Sequence, residues 1–248
     1  MFTLEENKEL GLFLQARMGS TRLPGKVMMK IGGKSVLALM TERIKQTKYG
    51  EHLFLLTSSR PIDDVIEQFA LAEHISCFRG SEIDVLDRFV QAAKHWHVKY
   101  ILRLTADSPF FSQKALVDTV DGYFRRQKPD YYFIDGYPIG IGSVEMMSTA
   151  ALQRALQETI PGQTYFREHV MTYLTTHPEL FRVVIEKTAL RYQNERIRLA
   201  LDEENDLRLL RIVFDKLNGD LDTDHIFELF ENEPELAEIN EDVIQKKM

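Results

Sequence analysis

Short apolar runs alternate with amphipathic stretches through the first half of the chain. Runs typical of strands lie at residues 11–15, 52–57, 75–79 and 100–105, and each is followed by a helix-like segment. The runs LFL and LFLL are apolar at consecutive positions, as expected of parallel strands that helices cover on both faces. The pattern therefore predicts an α/β fold with a mostly parallel central sheet and helices on both faces.

The second half of the chain is less regular but continues the same types of element. Strands are predicted near residues 131–134, 144–147, 181–185 and 197–201. Helices are predicted near residues 149–158, 165–176 and 204–217, and the acidic end of the chain is predicted to form short helices. Since no internal repeat or low-complexity linker interrupts the chain, one domain is expected over residues 1–248.

Composition excludes several classes of protein. A net charge of −7 argues against general nucleic-acid binding, which needs a basic surface to neutralise many phosphates. No apolar run approaches the roughly 18 residues of a membrane span, and the first residues are acidic and polar, so an uncleaved cytoplasmic protein is expected. The single cysteine, Cys77, lies in an apolar run and is expected to be buried and inert.

One stretch of the chain is basic, although the chain as a whole carries a net negative charge. Residues 16–40 contain no acidic side chain, and five cations fall within the first nineteen of these positions: Arg17, Arg22, Lys26, Lys30 and Lys34. A small polyanion is one partner that this charge fits. A solvated basic loop is an equally good interpretation of the charge alone.

The basic stretch opens with the segment QARMGSTRLPGK, residues 15–26, directly after the first predicted strand. Ligands of open α/β sheets bind beyond the carboxyl ends of strands, and glycines let backbone N–H groups approach phosphate oxygens. The segment is not a Walker A loop, because Gly19 and Gly25 are one residue too far apart and Val27 replaces the metal-binding Ser or Thr. It is not the dinucleotide fingerprint either, so a different phosphate loop is predicted.

Two aspartates follow predicted strands. Asp107 comes after the strand at 100–105 and Asp202 after the one at 197–201. Two carboxylates at one edge of a sheet, completed by phosphate oxygens and waters, suit Mg²⁺. Alternatively, each aspartate caps the helix that follows it.

The chain resembles a known family at several motifs in order. QARMGSTRLPGK resembles the signature loop of the CMP-sugar synthetases, the acylneuraminate and ketodeoxyoctonate cytidylyltransferases, and the chain is most similar to their SpsF-type group. The motifs that follow it are FRGSEIDVLDRF (78–89), RLTADSP (103–109), REHV (167–170), LDEENDLRLL (201–210) and IN…VIQK (239–246). The likeness runs from about residue 11 to near the C-terminus.

The resemblance implies a nucleotide-diphospho-sugar transferase type of fold and transfer of CMP from CTP to a sugar or sugar acid, with release of pyrophosphate, in surface polysaccharide biosynthesis. It implies a Mg²⁺ ion on Asp107 and Asp202, and catalytic roles for Arg17, Lys26 and Asp107. The nucleotide-binding residues it implies are Gln15, Ala16, Arg17, Gly19, Ser20, Arg22, Lys26, Arg79, Gly80, Ser81 and Arg103.

The acceptor side departs from the family pattern. The group usually has Cys where this chain has Ser108, and GIGSVEMMS (140–148) matches a pattern close to G-[LI]-D-V-E only with an extra residue and without the aspartate. Glu145 is predicted either to bind an acceptor hydroxyl or to end a strand. His169 is predicted either to contact the acceptor or to pack among apolar neighbours. The sequence does not identify the acceptor, nor does it prove that the base is cytosine.

Two other functions, those of a glycosyltransferase and of a non-catalytic relative, are alternatives to nucleotidyl transfer. A glycosyltransferase that uses a finished nucleotide sugar would have no need of the long basic loop, and a non-catalytic relative would have no need of the paired carboxylates.

A homodimer is expected through an excursion around residues 144–190, as is common among CMP-sugar synthetases. Apolar and aromatic residues of the kind enriched in interface cores lie in this segment, although they would also suit packing within the chain's own domain.

Overall fold

The computed structural model describes residues 3–160 and 162–245, so Lys246 of the closing motif lies outside the described residues. The strands are Leu10–Gln15 (β1), Lys30–Ile31 (β2), Lys34–Ser35 (β3), Leu53–Ser58 (β4), Ser76–Gly80 (β5), Tyr100–Thr105 (β6), Tyr131–Asp135 (β7), Val144–Ser148 (β8) and Val183–Lys187 (β9). The α-helices are Leu4–Lys8 (α1), Val36–Lys45 (α2), Asp64–Ala72 (α3), Val85–His95 (α4), Gln113–Arg125 (α5), Thr149–Glu158 (α6), Thr164–Glu168 (α7), Thr172–Thr176 (α8), Glu204–Lys216 (α9) and Thr223–Asn232 (α10). Short 3₁₀ helices include Lys26–Met28, Pro61–Asp63 and Pro234–Asn240.

Seven strands form the central sheet in the order β5-β4-β1-β6-β8-β7-β9. All neighbouring pairs are parallel except those of β8, which is antiparallel to both β6 and β7. Strands β2 and β3 form a separate antiparallel ribbon. The predicted α/β fold with a mostly parallel central sheet is confirmed.

Helices cover both faces of this sheet. Leu12 and Leu14 of β1 pack in one apolar layer with residues of α2, α3 and α5, while Phe13 packs on the opposite face with residues of α4, α6 and α8. The buried leucines of β1 are at most 1% exposed, and burying each such side chain stabilises the fold by about 1.5–3 kcal/mol. Residues at the carboxyl end of β1 are thereby fixed between two packed layers.

Two local predictions are wrong. Residues 197–201 do not form a strand: the segment has an isolated bridge between Ile139 and Arg198 and a bond from Leu201 N to the Asp107 carbonyl (2.7 Å), but no continuous pairing with a strand of the sheet. Its apolar side chains pack instead in a third cluster with α9 and α10. The single helix expected at 165–176 is divided into α7 and α8, because His169 takes a non-helical backbone conformation (φ −102°, ψ 90°).

The acidic end of the chain forms α10 and the 3₁₀ helix Pro234–Asn240, as the sequence predicts. Across residues 3–160 and 162–245, we find no helix with the length and apolar character needed to cross a bilayer.

Candidate active site

Strands β1, β4, β5 and β6 end at the same edge of the sheet, where their loops meet. The segment after β1, residues 16–25, is anchored at Met18. Its N–H donates to the buried carboxylate of Asp63 (2.7 Å), and its carbonyl accepts from the N–H groups of Ser20 and Gly25 (both 2.9 Å). Asp63 also accepts from the Ser58 hydroxyl. One buried aspartate from the loop after β4 therefore shapes the predicted phosphate loop.

Four N–H groups of this loop are open among the described residues, whereas Ala16 N donates to the Leu56 carbonyl (3.0 Å) and Leu23 N to the Ser20 hydroxyl (3.4 Å). Among the described residues, the backbone N–H groups of Arg17, Gly19, Thr21 and Arg22 have no hydrogen-bond acceptor. Gly25 has a φ of +72°, a left-handed conformation that glycine adopts without strain, and it turns the chain into the 3₁₀ helix of Lys26. Backbone donors close to several cations are the arrangement that binds phosphate groups.

Lys26 lies at the centre of the candidate site. Its ammonium group donates to the Leu201 carbonyl (2.6 Å), to Oδ1 of Asp202 (3.0 Å) and to Oδ2 of Asp107 (3.3 Å). The lysine is only 9% exposed, so a single buried cation joins the two predicted metal carboxylates. Asp107 and Asp202, which were predicted to meet at one edge of the sheet, therefore lie together, and the contact of both with Lys26 was not predicted.

Asp202 is surrounded by positive charge. Its Oδ2 contacts Nη2 of Arg22 (2.9 Å) and Nη2 of Arg198 (2.7 Å), in addition to the Lys26 bond at Oδ1. Burial alone would raise the pKa of the Asp202 carboxyl, but the charges of Lys26 and Arg22 and the bond from Arg198 leave that pKa below its ordinary value. Asp202 is thus held as an anion.

Neither aspartate caps a helix, so that alternative is wrong. Ser112 is the N-cap of α5, and its hydroxyl accepts from Ala115 N (3.0 Å). Glu203 is the N-cap residue of α9. Both Asp107 and Asp202 direct their carboxylates to Lys26 instead.

A second layer of polar residues positions the Asp202 segment. Asp206 is 1% exposed and accepts from the N–H groups of Asp202 (2.8 Å) and Glu203 (3.0 Å), and its other oxygen accepts from Arg198 Nε (3.2 Å). Asn240 of the closing motif donates to that same oxygen (2.7 Å) and to the Arg198 carbonyl (3.1 Å). Asn240 of the C-terminal motif therefore positions Arg198 and Asp206, and these two residues in turn contact Asp202.

The residues predicted to lie near the nucleoside, Arg79, Gly80 and Ser81, lie at the carboxyl end of β5. Gly80 ends the strand and Ser81 follows it, but the guanidinium of Arg79 turns toward α3, where it pairs with Asp64 (2.7 Å) and Glu67 (2.8 Å). The Ser81 carbonyl accepts from Nη1 of Arg88 (2.8 Å). Burial, and then the charge of Arg17, lower the pKa of Arg88 to about 10.

The predicted acceptor residues lie on the sheet face that packs against α4. Arg103 of β6 is opposite Glu145 of β8 in the antiparallel register, and its Nη1 donates to Oε2 of Glu145 (2.7 Å). His169 lies at the end of α7 and is half-buried, and burial together with the nearby charges of Arg103 and Arg17 lowers the pKa of its imidazole. Arg17 itself is half-exposed and pairs loosely with Glu168 (3.7 Å).

The altered 140–145 segment keeps its place in the fold. Gly140 has a φ of +89°, and a Cβ there would lie 2.3 Å from Ala200 N, so only glycine fits this close approach. Its N–H donates to the hydroxyl of Ser143 (3.3 Å). Glu145 consequently enters β8 in register with Arg103 despite the departure from the family pattern.

Several residues of the site were missed from the sequence. Asp63 and Arg198 lie outside the quoted motifs, and Asp206 lies within LDEENDLRLL but was not predicted as a site residue. Arg88 did carry a signal, since it lies on the apolar stripe of α4 between Val85 and Ala92, where a charge is out of place. Such an arginine is a candidate ligand-binding or positioning residue.

Comparison with known proteins agrees with this geometry. The sequence model of a family described as cytidylyltransferase matches residues 12–247. This chain belongs to the cytidylyltransferase family. The cytidylyltransferase is 30% identical over 230 residues to the spore coat polysaccharide biosynthesis protein SpsF of Bacillus subtilis, covering 90% of this chain and 95% of that protein.

Solved structures show the same fold. A cytidylyltransferase from Leptospira borgpetersenii superposes with a TM-score of 0.86 at 28% identity, covering 96% of this chain and 99% of that one. A CMP:2-keto-3-deoxy-manno-octonic acid synthetase complexed with CTP superposes with a TM-score of 0.63 at 14% identity, covering 84% and 99%, which shows the fold alone. This cytidylyltransferase therefore has the nucleotide-diphospho-sugar transferase type of fold implied by its motifs.

Proposed function

We propose that this cytidylyltransferase transfers CMP from CTP to a hydroxyl of a sugar or sugar acid and releases pyrophosphate. The observation that carries the proposal is the contact of Lys26 with both Asp107 and Asp202, beside a loop whose N–H groups are open. Similarity to the SpsF protein supports a role in surface polysaccharide biosynthesis. A cytoplasmic location is part of the same proposal.

The two carboxylates fit a magnesium ion. One oxygen from Asp107, one from Asp202 and the Leu201 carbonyl already converge on a single cation, the Lys26 ammonium. Oxygen donors of this kind are the ligands that Mg²⁺ prefers. Bound there with nucleotide, Mg²⁺ would offset negative charge on the phosphate oxygens.

The residues of the chain bind and orient the reactants. The open N–H groups of the phosphate loop and the cations Arg22 and Lys26 would bind the triphosphate, and Arg17 would lie beside the α-phosphate. The acceptor hydroxyl attacks the α-phosphorus in line and gives its proton to solvent, while the bond to the bridging oxygen breaks and its electron pair leaves on pyrophosphate. Lys26 and Arg22 offset the charge that grows on the leaving pyrophosphate.

The base preference gives the first test. We expect CTP with Mg²⁺ to raise the melting temperature more than ATP, GTP or UTP does, because the matching family is described as cytidylyltransferase. Thermal-shift titrations with the four triphosphates measure this directly. Equal stabilisation by all four would reject the cytidine specificity.

Pyrophosphate release tests the reaction itself. It should be measured with CTP and a panel of nonulosonic and other sugar acids beside neutral sugars. CTP binding without pyrophosphate release for any acceptor in the panel would favour a non-catalytic nucleotide-binding protein.

A homodimer through residues 144–190 is also proposed. Most of the apolar residues that suggested it, such as Val170, Leu174 and Phe181, pack inside the chain's own core, so they do not support an interface. The remaining support is the exposed apolar set Ile160 (65% exposed), Tyr165 (46%), Ile185 (56%) and Leu190 (84%). Light scattering at low micromolar concentration should give twice the 28.8 kDa chain mass, and the mass of a single chain would reject the dimer.

A further inference from the structure

Arg103, Glu145 and Tyr131 form a buried hydrogen-bonded network beside the phosphate loop. Oε2 of Glu145 accepts from Nη1 of Arg103 (2.7 Å), and Oε1 accepts from the hydroxyl of Tyr131 (3.1 Å). The three residues come from β6, β8 and β7, adjacent strands of the sheet. Since each oxygen of Glu145 already has a partner, this carboxylate is better placed to hold Arg103 than to bind an acceptor.

One edge of the Arg103 guanidinium has no partner. Its Nη1 contacts Glu145 and lies 3.8 Å from the sulfur of Met171, but its Nε is buried without an acceptor and its Nη2 makes no hydrogen bond to a described residue. The Nε–H and Nη2–H groups form a planar fork that matches two oxygens of a carboxylate or phosphate. The side chain is 10% exposed and its buried Nε has no acceptor among the described residues, so an anion bound at this edge would supply the missing acceptors.

The surrounding charges also favour an anion. Arg88 is 3% exposed and has no ion pair among the described residues, with the Ser81 carbonyl as its only hydrogen-bond acceptor. Arg17 and Arg103 are close enough for their charges to lower the pKa of the Arg88 guanidinium, in addition to the effect of burial. The charges of Asp63 and Glu82 oppose this effect, but among the described residues neither forms a hydrogen bond or an ion pair with Arg88. An anionic ligand next to these arginines would therefore still relieve the cost of burying the cation.

We propose that Arg103 binds an anionic group of the acceptor, a carboxylate or a phosphate, and that Glu145 and Tyr131 hold its guanidinium in place. In the proposed site, Lys26 and Arg22 bind the triphosphate. Both cations contact Asp202, whereas Arg103 contacts Glu145. The inference rests on the proposed function. It narrows the acceptor to sugar acids or sugar phosphates and excludes neutral sugars.

A first experiment separates the acceptor from the nucleotide. Calorimetric titration of CTP with Mg²⁺ into wild type and Arg103→Gln should give dissociation constants within about twofold of each other. A tenfold weakening in the variant would place Arg103 in the nucleotide site and overturn the proposal. Arg208→Gln, which removes an exposed arginine of α9, is the matched control.

A second experiment compares acceptors in pairs at saturating CTP. Pyrophosphate release is measured for N-acetylneuraminate, 3-deoxy-manno-octulosonate and hexose phosphates, each beside its carboxamide or unphosphorylated form. In wild type the anionic member of a pair should be favoured, and Arg103→Gln should raise its KM about 10- to 100-fold, as expected for charge-assisted hydrogen bonds. A preference of the wild-type protein for the carboxylate acceptors or for the phosphate acceptors shows which of the two groups Arg103 binds.

The positioning residues have a separate readout. Glu145→Gln and Tyr131→Phe should raise the KM of the anionic acceptor while the KM of CTP stays constant, and Arg103→Lys should recover part of the loss. A loss of stability alone would change both KM values or neither. Equal increases in the two KM values would therefore contradict a positioning role.

The outcomes also distinguish this inference from the proposed function. If neutral sugars react as well as acids, the reaction stands and the anion site is rejected. If no acceptor reacts although CTP binds, the proposed reaction fails, and titration of the same acids into the CMP-bound protein decides the inference. Binding that Arg103→Gln weakens tenfold supports the site, whereas absent or unchanged binding rejects it.

Discussion

Replacement of Asp107 or Asp202 by Asn is expected to lower kcat by about 100-fold or more. Each substitution keeps the size of the side chain but removes a charge that a hard cation needs, and loss of one such electrostatic contact typically costs about 10²–10³ in rate. Pyrophosphate release over a range of Mg²⁺ concentrations measures the effect. Asp215→Asn, an exposed position of α9, is the control and should leave the rate unchanged.

The two variants should differ in stability. Asp202 lies among Lys26, Arg22 and Arg198, whereas Asp107 has only Lys26 as an ionic partner among the described residues. We therefore expect Asp202→Asn to lower Tm by about 2–8 °C, corresponding to about 1–2 kcal/mol, and Asp107→Asn to leave it nearly unchanged. Full Mg²⁺-dependent turnover in Asp202→Asn would mean that this carboxylate only holds the three cations.

Replacement of Lys26 by Met should weaken binding of CTP by about 10- to 100-fold and leave binding of CMP nearly unchanged. The ammonium is expected to act on the outer phosphates, which CMP lacks, and hydrogen bonds to charged groups contribute about 1.5–3 kcal/mol each. Calorimetry with both nucleotides gives the comparison. Equal losses for CTP and CMP would place Lys26 elsewhere in the site.

The same variant reports on the metal site. Because the Lys26 ammonium lies between the two carboxylates, its removal should tighten binding of Mn²⁺, used as a probe for Mg²⁺, in the absence of nucleotide. Electron paramagnetic resonance of free Mn²⁺ measures this without reference to activity. The control Lys94→Met, at an exposed position of α4, should bind Mn²⁺ like wild type, and unchanged binding in Lys26→Met would argue against a shared cation position.

The local sequence determined the layers of the fold and the phosphate loop. Consecutive apolar residues in β1 and β4 require cover on both faces, so a parallel sheet between helices follows from the pattern itself. The phosphate loop stays a prediction, and it could be made from the sequence because its glycines and cations are close together along the chain. The segment 197–201 was misjudged for the same reason, since an apolar run shows burial but not whether a neighbouring strand exists to pair with it.

Only the tertiary structure decided how distant residues act together. Lys26, Asp107 and Asp202 are each legible in the sequence, but their shared contact depends on the Leu201 N to Asp107 carbonyl bond, which joins segments 94 residues apart. Asp63, Asp206 and Asn240 hold the site through buried hydrogen bonds whose partners are set by packing, not by spacing. Local sequence patterns indicate which residues must be buried. Which buried charges pair with each other is decided only when the sheet and its loops come together.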